Sequence, residues 1–209
     1  MSSLLLFLSL LQLASAHFHV DYPYWRGDSF KTQYTRPCGG VNVTTNRTEW
    51  PVNGGSLLFS AGHPWAITYV NLGIGNDDSV IFDVPLIPAF NQTGNGTVCF
   101  SKIQVPEGTQ ISPGTNASIQ VIQLSELGSA LYNCADITFS DNAGLLRSDK
   151  CQNSTNIGWR PLGASTSTTG TASTATNSNA ASGLIVGLST SKGIGVFVAL
   201  LFNMAGGLF

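Results

Sequence analysis

The chain holds three histidines, at positions 17, 19 and 63. His17 directly follows Ala14-Ser15-Ala16, a small-residue cleavage signature after the apolar run 4–13. Removal of such a leader makes His17 the first residue of the mature chain. A terminal histidine offers two nitrogens, its α-amine and its imidazole Nδ1, which together close a chelate ring on a metal ion. A second imidazole opposite completes a planar three-nitrogen set, and among divalent ions such a set favours Cu(II). His63 is the candidate for that place. It lies in Ser60-Ala61-Gly62-His63-Pro64-Trp65, a turn between two apolar runs in which the proline stiffens the chain. His19 offers a rival arrangement, since an X-X-His terminus wraps Cu(II) or Ni(II) with its amine, two deprotonated amides and the third-residue imidazole. That wrap needs a flexible terminus; in a strand the same amides stay in the ladder. The expected site is therefore Cu2+ held by His17 and His63, with His19 as an outer neighbour.

The elements that must position these residues read as strands. Segments 56–59, 65–70, 80–84, 98–103 and 118–124 are short and rich in β-branched and aromatic residues, and 130–139 reads as another. Turn signals bound them: Asn53-Gly54-Gly55, Gly73 to Asp78, Thr93-Gly94-Asn95-Gly96 and Pro113-Gly114. Alternation in 118–124 is only partial, Ile119 and Val121 standing against Gln120 and Gln123. Pro85 and Pro88 send their segment to a sheet edge or out of the sheet. With no capped long helix in the pattern, the expected fold is all-β, an antiparallel β-sandwich of immunoglobulin/fibronectin-like build over residues 17–163.

The two ends read as addresses. Residues 1–16 are expected to be a signal peptide, although only the α-amine supplies positive charge before the apolar run. Residues 164–183 form an expected disordered stalk, because Ser or Thr fills 11 of the 18 positions from 165 to 182 and hydroxyl side chains bury too little apolar area to pack a core. Residues 184–209 follow as the expected anchor-signal tail, apolar from Gly193 to Phe209 apart from Asn203. Small residues, a spacer holding Lys192 and that tail match a glycosylphosphatidylinositol (GPI) signal, with Asn179 as the chosen attachment residue among Asn177, Ser178 and Ser182. A single transmembrane helix is the rival reading, but no Lys or Arg follows as a flank. The expected location is the extracellular face of the plasma membrane, GPI-anchored, or the cell wall beyond it.

Compartment settles the remaining chemistry. Six N-x-S/T sequons, at Asn42, Asn46, Asn91, Asn95, Asn116 and Asn153, are expected glycan acceptors. Four cysteines, Cys38, Cys99, Cys134 and Cys151, are expected to form two disulfides in an oxidising compartment. Three pairings are open to them; the one favoured here joins Cys38 to Cys151 and Cys99 to Cys134. A zinc site of four thiolates lacks any C-x-x-C spacing. Nine Lys and Arg against eleven Asp and Glu, a formal charge of −2, build no phosphate-binding stripe, so nucleic acid is excluded as a partner. Nucleophile-elbow, H-E-x-x-H, P-loop and dinucleotide fingerprints are all missing from the sequence.

Several motifs then stand together: Tyr22-Pro23-x-x-Arg26-Gly27, Arg36-Pro37-Cys38-Gly39-Gly40, Gly62-His63-Pro64-Trp65 leading to Asn71-Leu72-Gly73, and Tyr132-Asn133-Cys134-Ala135-Asp136-Ile137. With a mature His17 and an anchor signal, this set resembles the fungal copper acquisition factors, proteins similar to lytic polysaccharide monooxygenases (LPMOs). The resemblance implies an LPMO-like sandwich, a copper-binding histidine brace at His17 and His63, and an aspartate near the metal, which maps to Asp136. It also implies a role in copper acquisition and homeostasis without oxidative turnover. Asp136 fits that place on its own terms, as a carboxylate in an otherwise apolar strand whose burial a nearby cation would offset. The expected partners are copper, the membrane through the anchor, and a surface copper transporter or wall glycan, with the protein itself a monomer. Two alternatives stand beside this reading: a copper-dependent enzyme oxidising wall polysaccharide, for which Tyr22, Tyr24 and Trp25 would be a sugar platform, and a structural wall glycoprotein.

Overall fold

The computed structural model describes residues 17–126 and 128–163. The expected leader, stalk, apolar tail and Asn179 lie outside the described residues. Nine strands and no helix occur among those described: β1 (His19–Tyr22), β2 (Thr48–Pro51), β3 (Gly55–Ala61), β4 (Trp65–Ile74), β5 (Val84–Thr93), β6 (Gly96–Ile103), β7 (Asn116–Ser125), β8 (Ala130–Ser140) and β9 (Gly158–Pro161). They form two sheets, one of order β1-β3-β6 and one of order β2-β8-β7-β4-β5-β9. The fold is an all-β sandwich, as the strand pattern predicts.

Alternation builds the core between the sheets. Ala66, Val70 and Leu72 of β4 are buried while Trp65, Ile67, Tyr69 and Asn71 stand half-buried on the other face. Leu57 and Phe59 of β3, Phe90 of β5, Val98 of β6, Ile119 and Val121 of β7, and Ile137 and Phe139 of β8 complete the same interior. Each such side chain contributes about 1.5–3 kcal/mol by leaving water. Phe18 and Val20 bring the amino-terminal segment into this core, both fully buried.

Two local expectations change, the strand at 80–84 and the purely antiparallel pairing, and the edge position of Pro85 and Pro88 is met. Residues 80–83 are not a strand; they pass over β4 at Gly73, where an added Cβ would lie 2.9 Å from the Ile81 carbonyl oxygen. Their β-branched composition serves packing rather than pairing. β5 starts only at Val84, and its Pro85 and Pro88 lie where it lacks an outer neighbour, since β9 pairs only Phe90–Thr93. The sandwich also holds one parallel pair, β2 with β8 (Thr48 opposite Ile137), reached through the long connection after β1. β1, β2 and β9, four residues each, are too short to show a period.

The disulfide pairing is the other correction. Cys38 bonds Cys134, with Cα atoms 5.2 Å apart, and Cys99 bonds Cys151, at 5.3 Å. Backbone routing decides this. The 29–40 loop lies along β8, with Tyr132 N–H donating to the Gln33 carbonyl at 2.7 Å. Gly39, at φ 68°, comes so near that an added Cβ would be 2.8 Å from the Tyr132 oxygen. Cys38 is thereby set against Cys134. Past residue 150 the chain runs beside β6 instead: Ser154 N–H donates to the Thr97 carbonyl at 3.0 Å, and Cys99 N–H to Asn153 Oδ1 at 2.7 Å. Cys151 can reach only Cys99.

Candidate metal centre

His17 is held by its neighbour. Gln33, fully buried, clamps the Phe18 peptide from both sides: Phe18 N–H donates to Oε1 at 3.3 Å, and Nε2 donates back to the Phe18 carbonyl at 2.5 Å. Val20 N–H donates to Asn133 Oδ1 at 3.0 Å. With Phe18 and Val20 turned into the core, the two-residue period sends His17, His19 and Asp21 to the other side. The His17 ring meets Phe30 edge-on, centroids 5.6 Å apart.

His63 comes from the turn between β3 and β4. It is buried, and its carbonyl accepts from Gln92 Nε2 at 3.0 Å. The next carbonyl, of Pro64, accepts from Gly94 N–H at 2.8 Å, so the 93–96 turn rests directly on it. The His63 pKa is lowered, chiefly by burial and then by the nearness of His17, with Glu126 acting in the opposite sense. The imidazole therefore stands neutral at pH 7, the form that ligates metals. Its Nε2 is buried and has no hydrogen-bond partner among the described residues. A buried ring nitrogen left without a partner costs about 1–3 kcal/mol unless something occupies its lone pair. A metal ion that takes nitrogen donors fits this position. Among the described residues no group of three or more His, Cys, Asp or Glu side chains converges on a metal position.

His19 borders a hollow of about 220 Å³ with His17, Phe30, Ser60, Ala61 and Gly62, next to the His63 turn in sequence. Its Nε2 is 2.9 Å from Asp21 Oδ1, and Asp21 Oδ2 accepts from Ser60 Oγ at 2.8 Å. His19 opens β1 opposite Ser60, and the Phe18 N–H is already donated to Gln33. Of the two amides required by the X-X-His wrap, that of Phe18 is thus already committed to the folded framework, and that of His19 belongs to a paired strand.

Asp136 is not brought to the histidines. It sits between core-facing Ala135 and Ile137 and so points out of the opposite face of its sheet, where it is fully buried under the 24–47 connection. Arg26 Nε and Ser118 Oγ donate to its Oδ1, at 2.9 and 2.5 Å, and Thr44 N–H donates to Oδ2 at 2.8 Å. Six positions of β8 separate it from Ala130, roughly 20 Å along the strand, and the His63 turn lies at the Ala130 end. The cation that offsets its burial is the guanidinium of Arg26, a partner to which the apolar context of the strand gives no pointer. Of the aromatic trio, Tyr22 packs on the core, Tyr24 is exposed, and Trp25 stands beside both His19 and Phe30. Asn42, Asn46, Asn95 and Asn153 are exposed, and Asn91 and Asn116 are half-buried. Gln33 and Gln92 are the residues that sequence reasoning passed over; a glutamine on the inward parity of a strand was the available signal for Gln92.

Comparison with known proteins adds to this geometry. A family model described as copper acquisition factor BIM1-like matches residues 15–156. The lytic polysaccharide monooxygenase-like protein ham-7 of Neurospora crassa is 38% identical, over 76% of this chain and 80% of its own. The lytic polysaccharide monooxygenase-like protein X325 of Aspergillus fumigatus is 34% identical, over 77% and 82%. The copper acquisition factor BIM1 of Cryptococcus neoformans var. grubii is 27% identical, over 73% of each chain.

Proposed function

Because the chain belongs to the BIM1-like family of copper acquisition factors, we propose that it captures copper outside the cell through a brace of His17 and His63 and passes the ion on without turnover. The carrying observation is the His63 Nε2, buried and unpartnered, on an imidazole that burial and the neighbouring His17 keep neutral. In this reading the leader sends the chain into the secretory route and frees the His17 amine. The carboxyl-terminal signal anchors the domain on the outer face of the plasma membrane, and a surface copper transporter or a wall glycan is its neighbour there. Copper is cargo, and the protein acts as a monomeric glycoprotein.

Relatives named for lytic polysaccharide monooxygenases keep the oxidative alternative in view. One feature weighs against it. Asn95 is exposed on the 93–96 turn, which rests on the Pro64 carbonyl beside His63. A glycan on that sequon would stand where a flat polymer has to lie. The deciding experiment is a Cu(II) titration with electron paramagnetic resonance (EPR) on secreted protein shown to begin at His17, followed by incubation with wall polysaccharide and a reductant. One ion bound with a three-nitrogen signature and no oxidised oligosaccharide supports capture; release of oxidised oligosaccharide assigns the protein to the enzymes; no binding refutes both.

The brace and the amide wrap make opposite predictions for His19. With the Phe18 amide donated to Gln33, replacement of His19 by alanine removes a half-exposed pair with Asp21 and ring contacts with Trp25 and Phe30, but no ligand of the brace. Such a pair is worth under about 1 kcal/mol, so the Cu(II) dissociation constant changes by less than about fivefold. Loss of the copper signal in His19→Ala would establish the wrap instead.

A further inference from the structure

Beneath the His63 turn the sandwich core changes character. Three adjacent strands each carry a polar residue in their inward-facing row: Phe90 is followed by Gln92 on β5, Val70 is preceded by Thr68 on β4, and Val121 is followed by Gln123 on β7. All three polar residues are fully buried. They form one chain of hydrogen bonds. Gln123 Nε2 donates to Thr68 Oγ1 at 3.3 Å, directly across the strand pair, and to Gln92 Oε1 at 3.1 Å. Gln92 Nε2 then donates to the His63 carbonyl at 3.0 Å and to the Gly94 carbonyl.

Burying two primary amides in a sandwich is unfavourable unless every polar atom is served. This network leaves one unserved: the Gln123 Oε1 is buried without a partner among the described residues. Leucine and valine at these positions would complete the core with no such penalty. What the amides provide and apolar residues do not is a donor aimed at the backbone of His63 and at the neighbouring turn. Each atom of the chain is also fixed in one sense, since the Gln92 amide can donate to carbonyls only if its oxygen faces Gln123.

We propose that Gln92, held by Gln123 and Thr68, is the positioning residue that fixes the His63 imidazole for copper. The assignment rests on the copper-brace reading. Gln92 touches no metal; it locks the peptide from which the imidazole hangs and ties that turn to the 93–96 turn. Partners of this kind, one step removed from a metal ligand, alter metal affinity by about 10–100-fold when removed.

The test compares secreted wild-type protein with Gln92→Met and Thr68→Val by Cu(II) titration, by the EPR spectrum of the Cu(II) form and by thermal melting of the metal-free protein. Wild-type protein that takes up no copper overturns the brace reading and this assignment with it. Given wild-type binding, Gln92→Met is expected to weaken it about 10–100-fold and to alter the hyperfine pattern. Thr68→Val, which removes only the acceptor that orients Gln123, is expected to alter the spectrum in the same sense with a smaller loss. A folded Gln92→Met protein with wild-type affinity and spectrum refutes the assignment while leaving the brace intact. If Gln92→Met does not fold, an unaltered Thr68→Val spectrum refutes it in the same way.

Discussion

Tight Cu(II) binding is expected to fall by at least about 100-fold when a single residue is left in front of His17, and equally when His63 is replaced by alanine. The two changes attack different donors. An added residue turns the His17 amine into an amide, which no longer has a lone pair to give at neutral pH, and so destroys the chelate ring. The alanine removes a neutral imidazole whose Nε2 is buried without a partner. Losing a residue one step away from a metal costs up to about 100-fold, so losing a ligand itself must cost at least that. Folding gives the second control. His63→Ala removes a buried but unserved ring nitrogen, and the metal-free variant is expected to melt close to the wild type. A competition titration against a chelator of known affinity, with amino-terminal sequencing of each preparation, reads the result. Unchanged binding by protein that starts at Ala16 would eliminate the brace.

Asp136→Ala is expected to produce the opposite pattern, a large loss of stability with copper affinity preserved. Its carboxylate is fully buried, and the Arg26 side chain that pairs with it is only 4% exposed. Arg26 has other acceptors, the Val41 carbonyl at 3.3 Å and the Ser118 hydroxyl at 3.0 Å, but the other carboxylate near it, Asp78, is 3.6 Å away and half in solvent. Removing one partner of a buried, hydrogen-bonded pair leaves a charge with nothing to balance it, at about 3–5 kcal/mol. For a domain of this size that lowers the melting temperature by about 10 °C or more. The lost carboxylate also frees the Thr44 amide, which loosens the 24–47 connection over β8. Denaturant unfolding and a Cu(II) titration on the same sample separate the two readouts. If Asp136→Ala melts like the wild type and binds copper weakly, the carboxylate is a ligand after all.

How far the sequence reaches depends on whether a residue's partners are close to it along the chain. β3, β4, β6, β7 and β8 are legible because alternation is a local property and these strands are long enough to show it. Four-residue strands carry two inward positions at most, so β1, β2 and β9 have no period to read. Residues 80–83 have strand-like side chains, yet they lie across Gly73 rather than beside another strand. Histidines 17 and 63 are legible for chemical rather than structural reasons: one sits at a processing point, and the other sits in a stiff turn. Asp136 shows the limit. An acidic residue in an apolar strand announces that a cation is near; which cation depends on a connection that starts 110 positions earlier, at Arg26. Gln123 shows a different limit. It breaks the alternation of β7, and the break reads as a weak strand when it marks a buried amide placed under the His63 turn.

The carboxyl-terminal end of the domain has a mechanical meaning. β9 holds the edge of the larger sheet by four residue pairs, and Trp159 rests there against Phe90 and Phe100. Just upstream, Cys151 is joined covalently to Cys99 in the smaller sheet. Tension applied through residue 163 would peel β9 away first, like a short strip of tape, and then arrive at a sulfur–sulfur link. From that point the load passes into the middle of β6 instead of unravelling the sandwich strand by strand. The domain can thus be tugged by its tail and lose an edge without opening.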